Sequence, residues 1–151
     1  MVSINSLKNY LVFVSLMKIN KFKKIVIKIG SSSLINSKTG KIKKKWLNSL
    51  SEDIAKLISE NKKIVIVSSG SIALGKINIS NKILRRMEEK QAAAAIGQIE
   101  LINSWKQSLN KYGMNSAQIL LTLDDSEVRR RYLNVRKTIF SLHKHKIVPI
   151  I

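Results

Sequence analysis

The sequence predicts an α/β fold in which a parallel sheet lies between two layers of helices, a three-layer sandwich. Three observations carry that prediction. Short runs rich in apolar, mostly β-branched residues recur at Lys24 to Ile29, Ile64 to Val67, Ala117 to Thr122 and Ile147 to Ile151. Stretches with helical apolar spacing separate them. The first two runs end in small-residue loops, Gly30-Ser31-Ser32-Ser33 and Ser68-Ser69-Gly70-Ser71, the punctuation of strand ends. Continuous apolar strands alternating with helices imply a parallel sheet covered on both faces.

Each element has its own signal. Leu47, Leu50, Ile54, Leu57 and Ile58 fall on one face of a helix from about Lys44 to Asn61. A polar stretch follows the second strand as far as Arg86, and a long helix is expected from Met87 to Tyr112. Its inner face should include Ala95, Ile99, Ile102, Trp105 or the stem of Lys106, and Leu109. Gly113 is suited to stop it, because glycine accepts the left-handed conformation at a helix end. Gln91 to Ala95 read as a close-packed helix face and Gly97 as a site of helix-to-sheet packing. Tyr132, Val135, Ile139 and Leu142 mark a further helix before the last strand.

Composition removes several classes of function. An apolar fraction of 44% suits a chain with a buried core and excludes fibrous or wholly disordered classes. The chain has no cysteine, which removes disulfide scaffolds, thiolate metal sites and cysteine catalysis, and suits a reducing cytoplasm. The net charge is +19, from 28 Lys and Arg against 9 Asp and Glu. Such a surplus is an electrostatic footprint for polyanions. Here it is mostly lysine, scattered (Lys21, Lys23, Lys24, Lys43 to Lys45, Lys62, Lys63, Lys82) and accompanied by many Ile and Asn. A compositional drift accounts for that pattern, so a nucleic-acid module is the lesser reading. The apolar run from Tyr10 to Leu16 is too short to span a bilayer and has no small-residue cleavage site after it. Residues 1–23 read as an extension outside the fold, with Met17 as an alternative start, and the protein as cytoplasmic.

In a parallel α/β sheet, ligands bind beyond the carboxyl ends of the strands. The chemistry is therefore sought in the loops after the first two strands. Lys28 ends a run read as buried, a costly place for an ammonium unless it emerges beside anionic partners. Gly30 lets backbone approach a ligand closely, and Ser31 to Ser33 offer amide and hydroxyl donors to phosphate oxygens. Gly70 to Lys76 nearly matches the Walker A spacing G-x-x-x-x-G-K. Ile77 stands where that motif needs a magnesium-binding hydroxyl, and only a polar, weakly periodic stretch is expected where it needs a helix. Two loops at neighbouring strand ends suit two ligands meeting tip to tip instead. Asp124, Asp125 and Glu127 read as a helix N-cap with favourable dipole charges, not as a metal site. His143 and His145 read as solvated, and Arg129 to Arg131 as an exposed helix start.

These residues resemble the amino-acid kinase superfamily and, within it, the glutamate 5-kinases. Val26-Ile27-Lys28-Ile29-Gly30-Ser31-Ser32 carries the superfamily signal. Ser68-Ser69-Gly70-Ser71-Ile72-Ala73 and Gln91-Ala92-Ala93-Ala94-Ala95-Ile96-Gly97-Gln98 are more particular to the glutamate kinases. Gln118 to Thr122, Tyr132 to Arg136 and Ile147 to Ile151 extend the match over Lys24 to Ile151. The resemblance implies a fold of the amino-acid kinase type, its N-terminal part. It implies ATP, with Mg2+ on the nucleotide, and L-glutamate as substrates, giving γ-glutamyl phosphate, the first step of proline biosynthesis. It assigns Lys28 to ATP and to the transferring phosphoryl group. Gly30, Ser31 and Ser32 are assigned to the ATP phosphates, and Ser69 and Gly70 to glutamate, with Ser71, Ile72 and Ala73 completing its pocket.

The family pattern continues past the position of Ile151 with an Asn-Glu-Asn-Asp loop and a nucleotide-binding half. The resemblance thus implies a truncated kinase domain over residues 24–151, inactive alone. Its partner would be a complementing C-terminal portion or further copies in a homo-oligomer. The last strand is expected to lack neighbours that it would have in the full fold. A non-catalytic glutamate-binding or interaction fragment is the alternative reading.

Overall fold

The computed structural model describes residues 21–79 and 84–151. Most of the expected N-terminal extension, with the run from Tyr10 to Leu16 and Met17, lies outside the described residues, as does Lys82. In chain order the elements are β1 (Lys24–Ile29), α1 (Ser31–Leu34), α2 (Lys44–Ser59) and β2 (Lys63–Ser68). Then come α3 (Ser71–Gly75), a 3₁₀ turn (Lys76–Ile79), α4 (Met87–Asn110), β3 (Asn115–Gln118), α5 (Leu123–Glu127), α6 (Arg129–Lys144) and β4 (Ile147–Ile150). The third strand ends at Gln118, four residues earlier than Thr122, although the Ile119 amide still donates to the Ile150 carbonyl at 2.8 Å.

The strands form one parallel sheet in the order β1-β2-β4-β3. The last strand thus enters between β2 and β3 and has neighbours on both sides. That order also distributes the helices. The steps β1→β2 and β2→β3 run in one direction, so right-handed crossovers put α2 and α4 on the same face. The step β3→β4 runs back and puts α6 on the other.

The two faces are not equally covered. Ile25, Ile27 and Ile29 share one face with Ile64, Ile66, Val148 and Ile150, and this face packs against Leu47, Leu50 and Ile54 of α2 and Leu101, Trp105 and Leu109 of α4. Burial of these side chains is the main source of stability, at roughly 1.5–3 kcal/mol for each large apolar residue. Among the described residues α6 alone covers the rear face, and it contributes no fully buried residue. Its Phe140 ring lies 4.9 Å from Lys24 Nζ and 5.4 Å from Arg136 Cζ. Val26, on this rear face of the edge strand, is 66% exposed. Among the described residues the sheet thus has helices on both faces, the layers expected from the apolar runs, with the rear face less completely covered.

Helix α4 presents a different face from the one its large residues suggest. Ala93, Gly97, Leu101, Trp105 and Leu109 point inward, while Ala95 is exposed and Ile99 is 69% exposed. The small residues decide the rotation. A Cβ on Gly97 would collide with the carbonyl of Ser71 and the amide of Gly75, and one on Gly75 with the carbonyl of Ala93. Two helix backbones touch here, so Gly97 serves helix-to-helix packing of α3 on α4 and not helix-to-sheet packing. Of the Gln91–Ala95 segment, only Ala93 is buried. Between α2 and α4 the buried Ser108 hydroxyl donates to Asn48 Oδ1 at 2.8 Å. Its single hydrogen is thereby used, so Ser51 donates to Ser108 Oγ at 2.8 Å.

Candidate active site

Backbone geometry brings the two small-residue loops together. Ile29 pairs with Ser68 in the β1–β2 register, and the Ser69 amide continues the ladder by donating to the Ile29 carbonyl at 3.0 Å. Gly70 then turns with φ +134°, in the region that favours glycine. A Cβ on it would lie 2.7 Å from Ile35 Cδ1 and 3.9 Å from Ser31 Cα. The two loops are thus in near contact, with Ile35 wedged between them. Ile35 is held by a tight hairpin in which it bridges Ile42, and the Asn36 carboxamide oxygen accepts from the amides of Lys38 and Thr39.

The phosphate-loop candidates Ser31 and Ser32 occupy a short turn of helix, Ser31–Leu34. Ser33 and Leu34 donate to the Gly30 carbonyl at 3.1 and 3.3 Å, which sets Ser31 and Ser32 ahead of the first helical hydrogen bond. Gly30 itself is extended (φ −77°, ψ 154°), and a Cβ there would meet nothing within 4 Å. Neither conformation nor packing within the chain requires glycine at this position.

Lys28 is the penultimate residue of β1, opposite Val67, and is exposed. It alternates with the core-facing Ile27 and Ile29, so its side chain leaves the sheet on the rear face. This corrects the reading of Lys28 as the end of a buried run. Its position carries no burial cost and demands no anionic partner.

Ser71, Ile72 and Ala73 form the first turn of α3, whose first hydrogen bond runs from the Leu74 amide to the Gly70 carbonyl at 3.0 Å. A short helix thus begins right after Gly70, within the stretch read as polar as far as Arg86. It excludes a P-loop: residues 71–75 are helical where that motif is a loop, and Lys76 enters a 3₁₀ turn.

Two further side chains hold the site, and the sequence did not single them out for it. Lys43 Nζ donates to the Ser32 carbonyl at 2.8 Å, tying α1 to the start of α2. Nothing distinguishes Lys43 from Lys44 and Lys45 in a lysine-rich sequence. The buried Trp105 donates from Nε1 to Ser68 Oγ at 3.0 Å, one residue before the Ser69–Gly70 loop. Asp124 and Asp125 lie in the first turn of α5, as dipole charges were expected to, but the N-cap is Thr122, whose amide donates to Asp125 Oδ2 at 2.7 Å. Asp124 pairs with Arg131 at 3.0 Å, and Glu127 ends the helix. His143 differs from its solvated reading, because its Nε2 lies 2.9 Å from the Ile64 carbonyl.

Residues 23–151 match the amino acid kinase family. The chain belongs to that family. Curated relatives among the amino acid kinases include the glutamate 5-kinase of Nitrobacter hamburgensis, 48% identical over 136 residues, and that of Pelagibacter ubique, 52% identical over 129 residues. The alignments take in 88% and 84% of this chain but 35% and 34% of those proteins, so the chain spans about a third of the length of these relatives. A Giardia carbamate kinase has a similar fold, with a TM-score of 0.57 at 16% identity, over 85% of this chain and 57% of that one. Among the described residues, no helix is long and apolar enough to cross a membrane.

Proposed function

We propose that the chain carries the glutamate loop and phosphate loop of a glutamate 5-kinase. In this reaction an oxygen of the L-glutamate side-chain carboxylate attacks the γ-phosphorus of ATP. The bond from that phosphorus to the β,γ-bridging oxygen breaks, and ADP and γ-glutamyl phosphate form, the first step of proline biosynthesis. The observation that carries this reading is the hydrogen bond from the Ser69 amide to the Ile29 carbonyl at 3.0 Å. It sets the ends of β1 and β2 side by side, so a donor held at one loop and an acceptor held at the other would meet. The names of the curated relatives support the same reaction.

In this reading Gly30, Ser31 and Ser32 lie under the phosphates, and the lack of a side chain at Gly30 keeps the backbone approachable. Lys28 neutralises charge on the transferring phosphoryl group. Ser69 and Gly70 hold glutamate, with Ser71, Ile72 and Ala73 beside it. Phosphoryl transfer is served by positioning and charge neutralisation more than by covalent chemistry, which suits a site of loops and one lysine. Magnesium would reach it on the nucleotide. The protein would act in the cytoplasm, as a homo-oligomer or with a complementing portion.

The test joins these 151 residues to the remaining length of a glutamate 5-kinase relative and measures γ-glutamyl hydroxamate formed from ATP, glutamate and hydroxylamine. Lys28→Ala should lower kcat by about a hundred- to a thousand-fold. Equal activity with and without Lys28 overturns its role. ATP turnover indifferent to glutamate overturns the reaction.

A further inference from the structure

At the opposite end of the sheet the β2–β4 ladder is interrupted. β2 and β4 share one register pair, Ile66↔Ile150, near their carboxyl ends. Beyond it the Ser68 amide donates to the Ile151 carbonyl and the Ile151 amide to the Ile66 carbonyl, both at 2.8 Å. The Ile64 carbonyl points to the same side as that of Ile66, yet its partner is His143 Nε2 of α6, at 2.9 Å. The β4 residue in register to donate to that carbonyl is Pro149, which has no amide hydrogen. The His143 side chain takes the place of the ladder, and a cleft of about 480 Å³ lies beside this contact.

The lining of this cleft is strongly one-signed. Lys62, Lys63, Lys144 and Lys146 border it with His143, no Asp or Glu does, and its apolar wall includes Ile64 and Val148. None of Lys63, Lys144 and Lys146 belongs to an ion pair among the described residues. The partial negative charge at the carboxyl end of α6 accounts for Lys144 in its last turn. It does not account for Lys63, which starts a strand. Lys146 sits at φ 56° and Asn61 at φ 60°, a conformation that glycine would adopt more readily, in the turns leading into β4 and β2. The volume falls in the range of small-ligand sites.

We propose that this cleft is a binding site for a small, multiply charged, phosphate-bearing anion, separate from the loops at the carboxyl ends of β1 and β2. The six residues of β2 keep the two sites apart by about 17 Å along the strand. Lysines bordering one part-enclosed cleft of a single sign focus positive potential there more than the scattered surface lysines of the same chain do. Selectivity over that general positive field is therefore the distinguishing property.

The 151-residue protein, labelled with nitrogen-15, is titrated with inorganic pyrophosphate at about 0.15 M salt, where charges on the open surface are screened. Saturable amide shifts centred on Lys63, Ile64, Lys146 and Ile147 are expected. Replacing Lys63→Gln together with Lys146→Gly, the latter suited to its positive φ, should weaken binding about tenfold. A control carrying Lys41→Gln and Lys106→Gln changes the net charge equally on distant exposed positions, and should weaken binding less than about twofold. The amide spectrum shows for each variant that the fold persists. Shifts spread over lysines along the whole chain without saturation overturn the proposal. So do shifts centred on residues 30–32 and 69–73, or equal weakening by both double variants.

Discussion

Nε2 of His143 and the carbonyl oxygen of Ile64 lie 2.9 Å apart, where the β2–β4 ladder is interrupted. A carbonyl only accepts, so Nε2 is the nitrogen that carries the hydrogen. This one contact ties α6 to the rear of the sheet and satisfies a backbone group that strand pairing leaves without a partner.

Removing that ring should be felt in stability. His143→Ala is expected to cost about 1–3 kcal/mol, the range for stranding a polar group away from water. Urea unfolding of the 151-residue chain measures it. A loss below about 0.5 kcal/mol would show that water replaces the ring at no cost.

Gly30 and Gly97 should respond in opposite ways to the same change. Gly97→Ala drives a methyl group into the backbone of α3 and should destabilise by at least about 1–3 kcal/mol, the cost of overpacking. Gly30→Ala has open space and an ordinary extended backbone, so its stability should stay within about 0.5 kcal/mol of the parent or rise slightly. In the joined protein Gly30→Ala should nonetheless raise the KM for ATP. Unchanged kinetics would remove Gly30 from the phosphate site.

Hydrogen bonds from the amide and hydroxyl of Thr122 hold the Asp125 carboxyl below its usual range. A folded-state pKa below the unfolded one stabilises above the unfolded value, about 3.9 for aspartate. That contribution is lost as pH falls through the folded value. Carbon-13 titration of the side-chain carboxyl should place the Asp125 midpoint below the ordinary aspartate value of about 3.9. Thr122→Val, which removes the hydroxyl, should move it up. A midpoint unmoved by Thr122→Val would leave the Thr122 amide and the Arg131 charge as its causes.

The 151 residues alone should form no measurable γ-glutamyl hydroxamate. The curated relatives are far longer, and each missing preorganised donor costs on the order of a hundred- to a thousand-fold in rate. Co-expression with the remaining length of a relative should restore activity in a Lys28-dependent manner. Robust turnover by the isolated chain would sink this expectation.

Local pattern made much of the fold legible. In α2 the contrast between Leu47, Leu50 and Ile54 and the charged residues around them leaves one orientation for burial. In β1 and β2 the β-branched runs and the loops that end them define the strands, and hence the level at which ligands would bind. The motifs at Lys28, Gly30, Ser69 and Gly70 could be read directly because their residue types stand next to one another. Tertiary contact decided the rest. In α4 the segment around Ala92–Ala95 is small on every side, so periodicity could not choose a face, and the contact of Gly97 with Gly75 chose it. Strand order is equally invisible to local pattern. Entry of β4 between β2 and β3 sent α6 to the rear face, where among the described residues Val26 and Lys28 stay exposed and Ile64 is met by His143. Such outcomes depend on which surfaces meet across tens of residues, and sequence spacing records only which residues share a surface.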